Sequence, residues 1–301
     1  MAHSRRARLV GLAALSATFL LGGCSKAFVL LSPAGPIGAD EKSAMLVALG
    51  LMLIVVIPVF VLTGWFAWHY RASNAKATYA PKWAHSAKIE LVVWLVPALI
   101  IAALGSLTWT TTQALGPYKP IASNVKPLRV DVVSLDWKWL FIYPELGVAT
   151  VNRLVIPAGV PVSFRLTSDT VMTSFFIPRL GTQIYAMPGM RSELNLMARK
   201  PGTYSGRNFQ FSGRGYSGMR FEVDATAPRA FEAWVAKTRH APRTLDMASW
   251  RKLETPGLER AALAYGSVSP HFFDRILMQT MTSDDLGFAP VASKGICHVA
   301  G

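Results

Sequence analysis

The sequence predicts a membrane protein in three parts: a two-helix transmembrane hairpin, an all-β sandwich or Greek-key barrel, and an α-helical tail. Three observations carry this reading. Two apolar runs, Ala44 to Trp68 and Leu91 to Gln113, contain no charged residue. Each is close to the roughly 20 residues needed to cross a bilayer. From Leu128 to Asp224 apolar and polar side chains alternate with period two, the mark of half-buried strands. Beyond Pro228 the apolar spacing returns to that of a helix.

Composition agrees. Of 301 residues, 51% are hydrophobic, more than an ordinary soluble enzyme carries. The formal charge is +14, but Lys and Arg are scattered, with no basic run on one predicted helix, which argues against a nucleic-acid partner. The two cysteines, Cys24 and Cys297, lie outside the central region, so no metal-type Cys pair exists. No histidine lies between His85 and His240, which deprives the β-rich region of imidazole ligands.

The N-terminus opens with Arg5, Arg6 and Arg8, followed by an apolar run from Leu9 to Leu21. A charged stretch before a short apolar one reads as a secretory signal, residues 1–23. Leu21-Gly22-Gly23-Cys24 is similar to a bacterial lipobox, in which Cys24 is diacylated and becomes the first mature residue. The competing reading is an uncleaved signal anchor with an idle cysteine. Residues 24–43 then form an extracytoplasmic segment, and spans are expected at 44–68 and 89–113. Pro58 and Pro97 fall inside them, which membrane helices tolerate. Trp65, Trp68 and Tyr70 cluster at the end of the first span, as an interfacial belt does. The connecting loop, 69–88, holds Arg71, Lys76, Lys82 and Lys88 and no acid, which places it in the cytoplasm. Cys24 and everything after Gln113 then share the opposite side.

In the β region Val160, Val162, Phe164 and Leu166 alternate with Pro161, Ser163, Arg165 and Thr167. Met219, Phe221 and Val223 alternate with Arg220, Glu222 and Asp224. Gly and Pro break the segment at short intervals, so the strands are short. In the tail, 227–301, Phe231, Trp234 and Val235 fall on one helical face, and amphipathic segments follow around Met247–Leu253, Leu258–Tyr265 and Phe272–Met281. Cys297-His298 is a weak metal pair without further ligands, and a solvated terminus is the plainer reading.

The motifs of the β region resemble a known family. Met172-Thr173-Ser174-Phe175-Phe176-Ile177-Pro178, Gly202-Thr203-Tyr204-Ser205-Gly206 and Ser212-Gly213-Arg214-Gly215-Tyr216-Ser217-Gly218-Met219 look like the periplasmic copper domain of haem–copper oxidase subunit II. Asp136-Trp137-Lys138-Trp139 and Phe175-Phe176-Ile177-Pro178-Arg179-Leu180-Gly181 resemble the cytochrome bo-type ubiquinol oxidase members of that family. The resemblance runs from the lipobox to about Val235. It implies a cupredoxin-like sandwich at 114–226 and a place in the bacterial inner membrane. It also implies vestigial copper-ligand positions: Thr173 and Tyr216 at the two His positions, Asn208 and Ser212 at the two Cys positions, Gln210 at the Glu position, and Met219 as the one survivor.

A binuclear copper centre needs bridging thiolates and imidazole nitrogens, which Asn, Ser and Tyr do not supply. The resemblance therefore implies a structural, non-catalytic subunit of a proton-pumping ubiquinol oxidase, with no metal in this chain. Haems and copper are expected in the large subunit I, with smaller membrane subunits as further partners and ubiquinol as the complex's substrate. From Arg191 to Arg220 there are six basic residues and one acid, Glu193, the wrong sign for docking a basic cytochrome c. The alternatives are a copper-binding relay subunit of a cytochrome c oxidase and a free-standing periplasmic lipoprotein.

Three local features carry paired readings. Glu90 matches an acid at the mouth of a proton-uptake pathway in this superfamily, against a carboxylate solvated among headgroups or paired with Lys88. Trp137 and Trp139 sit where the copper subunits carry an aromatic electron-entry region, against a role in the core. Asp136 beside Lys138 reads as a catalytic acid, against a single acid on a strand satisfied at the surface.

Overall fold

The computed structural model describes residues 29–78, 83, 85–258 and 261–282. The signal, Cys24, Lys82 and the Cys297-His298 pair lie outside the described residues.

A short 3-10 turn, Val29–Leu31, leads into helix α1, Pro36–His69, and helix α2 follows at Ala87–Ala114. The apolar stretches of both helices are exposed within the chain, Phe60 at 75% and Trp94 at 78%, so their natural surroundings are lipid or other proteins. Helix α1 starts eight residues ahead of its charge-free run. Pro36 sits in its first turn, where a missing N–H costs nothing. The helix start is fastened to the β domain by backbone hydrogen bonds. Ala34 donates to the Arg179 carbonyl (2.7 Å), Gly38 to that of Leu180 (3.0 Å), and Arg199 to that of Ala34 (2.9 Å). Gly35 permits the approach, since a Cβ there would stand 2.5 Å from the Met197 carbonyl oxygen. At the other end of the hairpin, the Asn195 amide donates to the Pro117 carbonyl (3.1 Å).

The sandwich holds strands β1 (Leu128–Leu135), β2 (Lys138–Tyr143), β3 (Val148–Val151), β4 (Arg153–Pro157), β5 (Val162–Ser168), β6 (Thr173–Phe176), β7 (Ile184–Ala186), β8 (Ser192–Leu196), β9 (Gly202–Asn208) and β10 (Arg220–Thr226). The tail adds α3 (Pro228–Arg239), β11 (Thr244–Leu245), α4 (Met247–Glu254), β12 (Leu263–Tyr265), β13 (Ser267–Val268) and α5 (Phe272–Thr282). One sheet runs β12-β3-β2-β1-β5-β8 and the other β4-β10-β9-β6-β7. Strands β1 and β5 pair in parallel, as do β4 and β10, while the remaining pairs of the two sheets are antiparallel. Between the sheets Trp139, Phe141, Tyr143, Phe164, Phe175 and Phe221 form an aromatic core. The buried Tyr143 hydroxyl donates to the Val155 carbonyl (2.9 Å), so its polar end is satisfied.

One expectation about the tail needs correction. Leu258, Ala261 and Ala262 are not helical. Leu263–Tyr265 is a strand, because its backbone completes the edge of the first sheet against β3, in register Leu263↔Val151. The tail helices pack on the sandwich. Trp250 of α4 and Phe272, Phe273 and Ile276 of α5 cover the outer face of β1, β2 and β3. Those strands are therefore buried on both faces, which explains why Lys138-Trp139-Leu140-Phe141-Ile142-Tyr143 lacks alternation.

Candidate functional site

The six vestigial positions converge at one end of the sandwich, where β6, the end of β9 and the loop 209–219 meet. Thr173 opens β6 and is buried. Its hydroxyl donates to Ser134 Oγ of β1 (2.7 Å). Asn208 ends β9 and organises the rest. Its Oδ1 accepts from the backbone N–H groups of Ser174 (2.8 Å) and Gln210 (2.9 Å), and its Nδ2 donates to Ser212 Oγ (3.0 Å). Its own N–H donates to the Met219 carbonyl (3.1 Å). Met219 is 1% exposed and packs in the aromatic core. Tyr216 opens a short 3-10 turn, and its ring lies 5.7 Å from that of the exposed Phe211.

The loop is closed from outside by Trp137. Its indole N–H donates to the Ser212 carbonyl, and its ring lies against Gly213 and Gly215. A Cβ at Gly215 would fall 2.2 Å from Trp137 Cδ2, and Gly213 has φ +92°. Glycine is required at both positions, at one for space and at the other for conformation. Sequence reasoning missed Ser134 and Ser174 as members of this network. Ser134 carried no signal, being far away along the chain. The glycines around Arg214 were a signal that something lies flat against the loop.

The donor set does not fit a binuclear copper centre. The six positions present an amide pair, three hydroxyls and one thioether, where soft thiolates and imidazoles are needed. The amide and hydroxyl of Asn208 and Ser212, at the two Cys positions, are spent on each other. Among the described residues no three His, Cys, Asp or Glu side chains lie together where a metal ion could sit. The arrangement locks three strands and a loop.

The structure separates the two tryptophans: Trp139 is a core residue and Trp137 is half-buried against the loop. Asp136 accepts from Thr170 Oγ1 (2.8 Å). Its neighbour Lys138 is only 6% exposed, with Nζ donating to the carbonyls of Leu253 (3.0 Å) and Thr255 (2.9 Å). Glu90 lies in the first turn of α2, exposed, and pairs with His85 rather than Lys88.

Residues 128–226 match the family model described as cytochrome c oxidase subunit II, periplasmic domain. Over the longer chain the similarity is to ubiquinol oxidases. Cytochrome bo(3) ubiquinol oxidase subunit 2 of Pseudomonas putida is 50% identical over 277 residues, 92% of this chain and 88% of the relative. The chain belongs to the ubiquinol oxidase subunit 2 family. The Pseudomonas aeruginosa relative of that name is 51% identical over 263 residues, 87% of this chain and 79% of its own. Ubiquinol oxidase subunit 2 of Acetobacter aceti is 47% identical over 279 residues, 92% and 90% of the two chains. As a subunit 2, the chain is a membrane protein whose two apolar helices carry a sandwich of the subunit II type.

One titratable group near the loop is perturbed. Burial raises the Asp169 carboxyl to about 6, and the charges of Glu254 and Asp136 push the same way. The folded chain thus holds this proton more tightly than the unfolded chain, whose carboxyl titrates near 3.8. Stability attributable to this group is full below about pH 4 and is lost as pH rises through 6. Asp169→Asn should therefore raise the melting temperature of the full chain more at pH 7.5 than at pH 4.5. An equal change at both values would show that the carboxyl is not perturbed.

Proposed function

We propose that this chain is the non-catalytic structural subunit II of a proton-pumping ubiquinol oxidase in the bacterial inner membrane. The complex oxidises ubiquinol and reduces oxygen to water. Its haems and copper belong to the large subunit I, against which the two helices of this chain pack together with smaller membrane subunits. The sandwich caps that subunit on the periplasmic side, and Cys24, freed by removal of residues 1–23, carries the lipid anchor. Near-50% identity along almost the whole chain to proteins named ubiquinol oxidase subunit 2 supports this reading of the complex. The single observation that carries the absence of an electron relay is Asn208, which replaces a thiolate with an amide already satisfied on both its ends. A quinol dissolved in the membrane needs no relay from the periplasm. The basic segment from Arg191 to Arg220 repels a basic cytochrome c.

The test is metal analysis of the purified full chain together with turnover of the intact complex. Copper should be retained well below one equivalent per chain, with no thiolate-to-copper absorption band, while quinol oxidation by the complex proceeds. Stoichiometric copper in this chain, or its rapid reduction by a soluble haem protein, would overturn the reading.

Glu90 belongs to the same proposal as the entrance of a proton-uptake pathway. Its exposed carboxylate and its His85 partner stand at the start of the second span, on the side of the basic loop. Exchange of Glu90 for Ala should slow proton-coupled turnover of the assembled enzyme, by up to about 100-fold, the low end of what one positioned proton-transfer group contributes. Unchanged turnover with normal assembly would remove Glu90 from the pathway.

A further inference from the structure

The junction between hairpin and sandwich encloses a cleft of about 470 Å³ whose lining includes Gly35, Arg179, Arg199, Lys200, Thr203 and Tyr204. Three cations line it and no acid does. Asp224 accepts from Thr203 Oγ1 (3.1 Å) but is already paired with Arg153 (2.8 Å). Arg179 is held in place: its Nε donates to the Ser32 carbonyl (2.9 Å), and its guanidinium lies 5.2 Å from the centre of the Tyr204 ring. The Tyr204 hydroxyl in turn donates to the Lys200 carbonyl (2.9 Å). Among the described residues the terminal nitrogens of Arg179, the Arg199 guanidinium and the Lys200 ammonium meet no acceptor. Such a group of cations is self-repelling unless an anion is present, and guanidinium forks match phosphate oxygens.

Position argues for the source of the phosphate. The stretch from Asn195 to Arg199 is tied at one end to Pro117, just past α2, and at the other to Ala34, just before α1. It therefore lies across the two non-cytoplasmic ends of the hairpin. Pro117 is four residues beyond Gln113, the end of the apolar run. Four residues span at most about 14 Å, which sets the stretch at or just above the headgroup layer. Long Lys and Arg side chains cover the remaining distance. Val29, Leu30 and Leu31, exposed apolar residues that lead into the cleft, also suit an interfacial setting.

We propose that this cleft binds the headgroup phosphate of an anionic phospholipid, on the side of the membrane that carries the sandwich. The lipid would bridge the first helix and the sandwich across the joint made by Gly35. The proposal concerns this chain's own cleft and does not rest on the oxidase reading.

The test is native mass spectrometry of the detergent-solubilised full chain, incubated separately with phosphatidylglycerol, phosphatidylcholine and inorganic phosphate. One phosphatidylglycerol per chain should be retained, in preference to phosphatidylcholine, and equimolar inorganic phosphate should not displace it. The double variant Arg199→Gln/Lys200→Gln changes two exposed side chains that hold no partner and should leave the melting temperature unchanged. It should weaken retention about 30-fold, the effect of two surface cations on an anionic lipid. Equal retention by the double variant, or equal retention of the two lipids, overturns the proposal. Displacement by equimolar phosphate also overturns it, by making the cleft a site for a free anion.

Discussion

Replacement of Asp131 by alanine is expected to destabilise the full chain by about 3–5 kcal/mol, the usual cost of orphaning one member of a buried ion pair. Asp131 on β1 is 2% exposed and lies directly across from Arg165 on β5. Arg165 binds it through two nitrogens, Nε to Oδ1 at 2.7 Å and Nη2 to Oδ2 at 2.6 Å. The same guanidinium reaches Asp274 of α5 (3.3 Å) and lies over the Phe273 ring at 4.6 Å. Without Asp131 a largely buried cation keeps only the half-exposed Asp274. The loss should appear in chemical denaturation of the full chain in detergent, and hydrogen exchange in α5 should rise with it. Changing Asp131→Leu together with Arg165→Met should restore part of the stability, because it removes the unpaired Arg165 charge; the remainder stays lost with Arg129, whose Nε lies 3.6 Å from Asp131. A loss below about 1 kcal/mol for Asp131→Ala, the range of a surface pair, would show that the network is solvated.

Trp139→Ala should cost about as much, roughly 3–5 kcal/mol for an aromatic removed from a core that cannot collapse. Trp139 is fully buried and meets Phe175 (5.3 Å) and Phe221 (5.6 Å) edge-on, while those two rings stack at 5.1 Å. Its backbone N–H is held by Asn152 Oδ1 (2.8 Å). Its indole N–H has no acceptor among the described residues. Trp139→Phe should therefore cost clearly less than Trp139→Ala, since it removes an unsatisfied donor while keeping a ring in place. If the two substitutions cost the same, the aromatic contacts are not what holds this layer together. Should Trp139→Ala leave the melting temperature unchanged yet abolish turnover of the complex, the electron-entry reading of this position would return.

Much of the architecture was legible from local pattern. The charge-free runs marked both membrane helices, because charged side chains are costly in hydrocarbon and therefore rare there. Alternation at Val160–Thr167 and Met219–Asp224 marked strands that face core on one side and water on the other. It failed where that condition failed. Strands β1 to β3 are covered on both faces once α4 and α5 pack against them, and no window around residue 140 records that cover. The error at Leu258–Tyr265 has the same origin, because an edge strand is decided by its partner, here β3, more than a hundred residues earlier. The burial of Lys138 was not legible either, because its two carbonyl partners belong to the distant end of α4.

The candidate site divides in the same way. The sequence alone determined its chemistry: which donor atoms stand at the six positions, and that thiolate and imidazole are missing there. Donor identity is a covalent property of each residue, and no folding changes it. Only the tertiary structure decided what those residues do instead. Asn208, Ser212, Thr173 and Met219 became a closed hydrogen-bonded and packed cap because chain folding brought Ser134, Ser174 and Trp137 against them, and hydrogen bonds and van der Waals contacts exist only at distances that the fold sets.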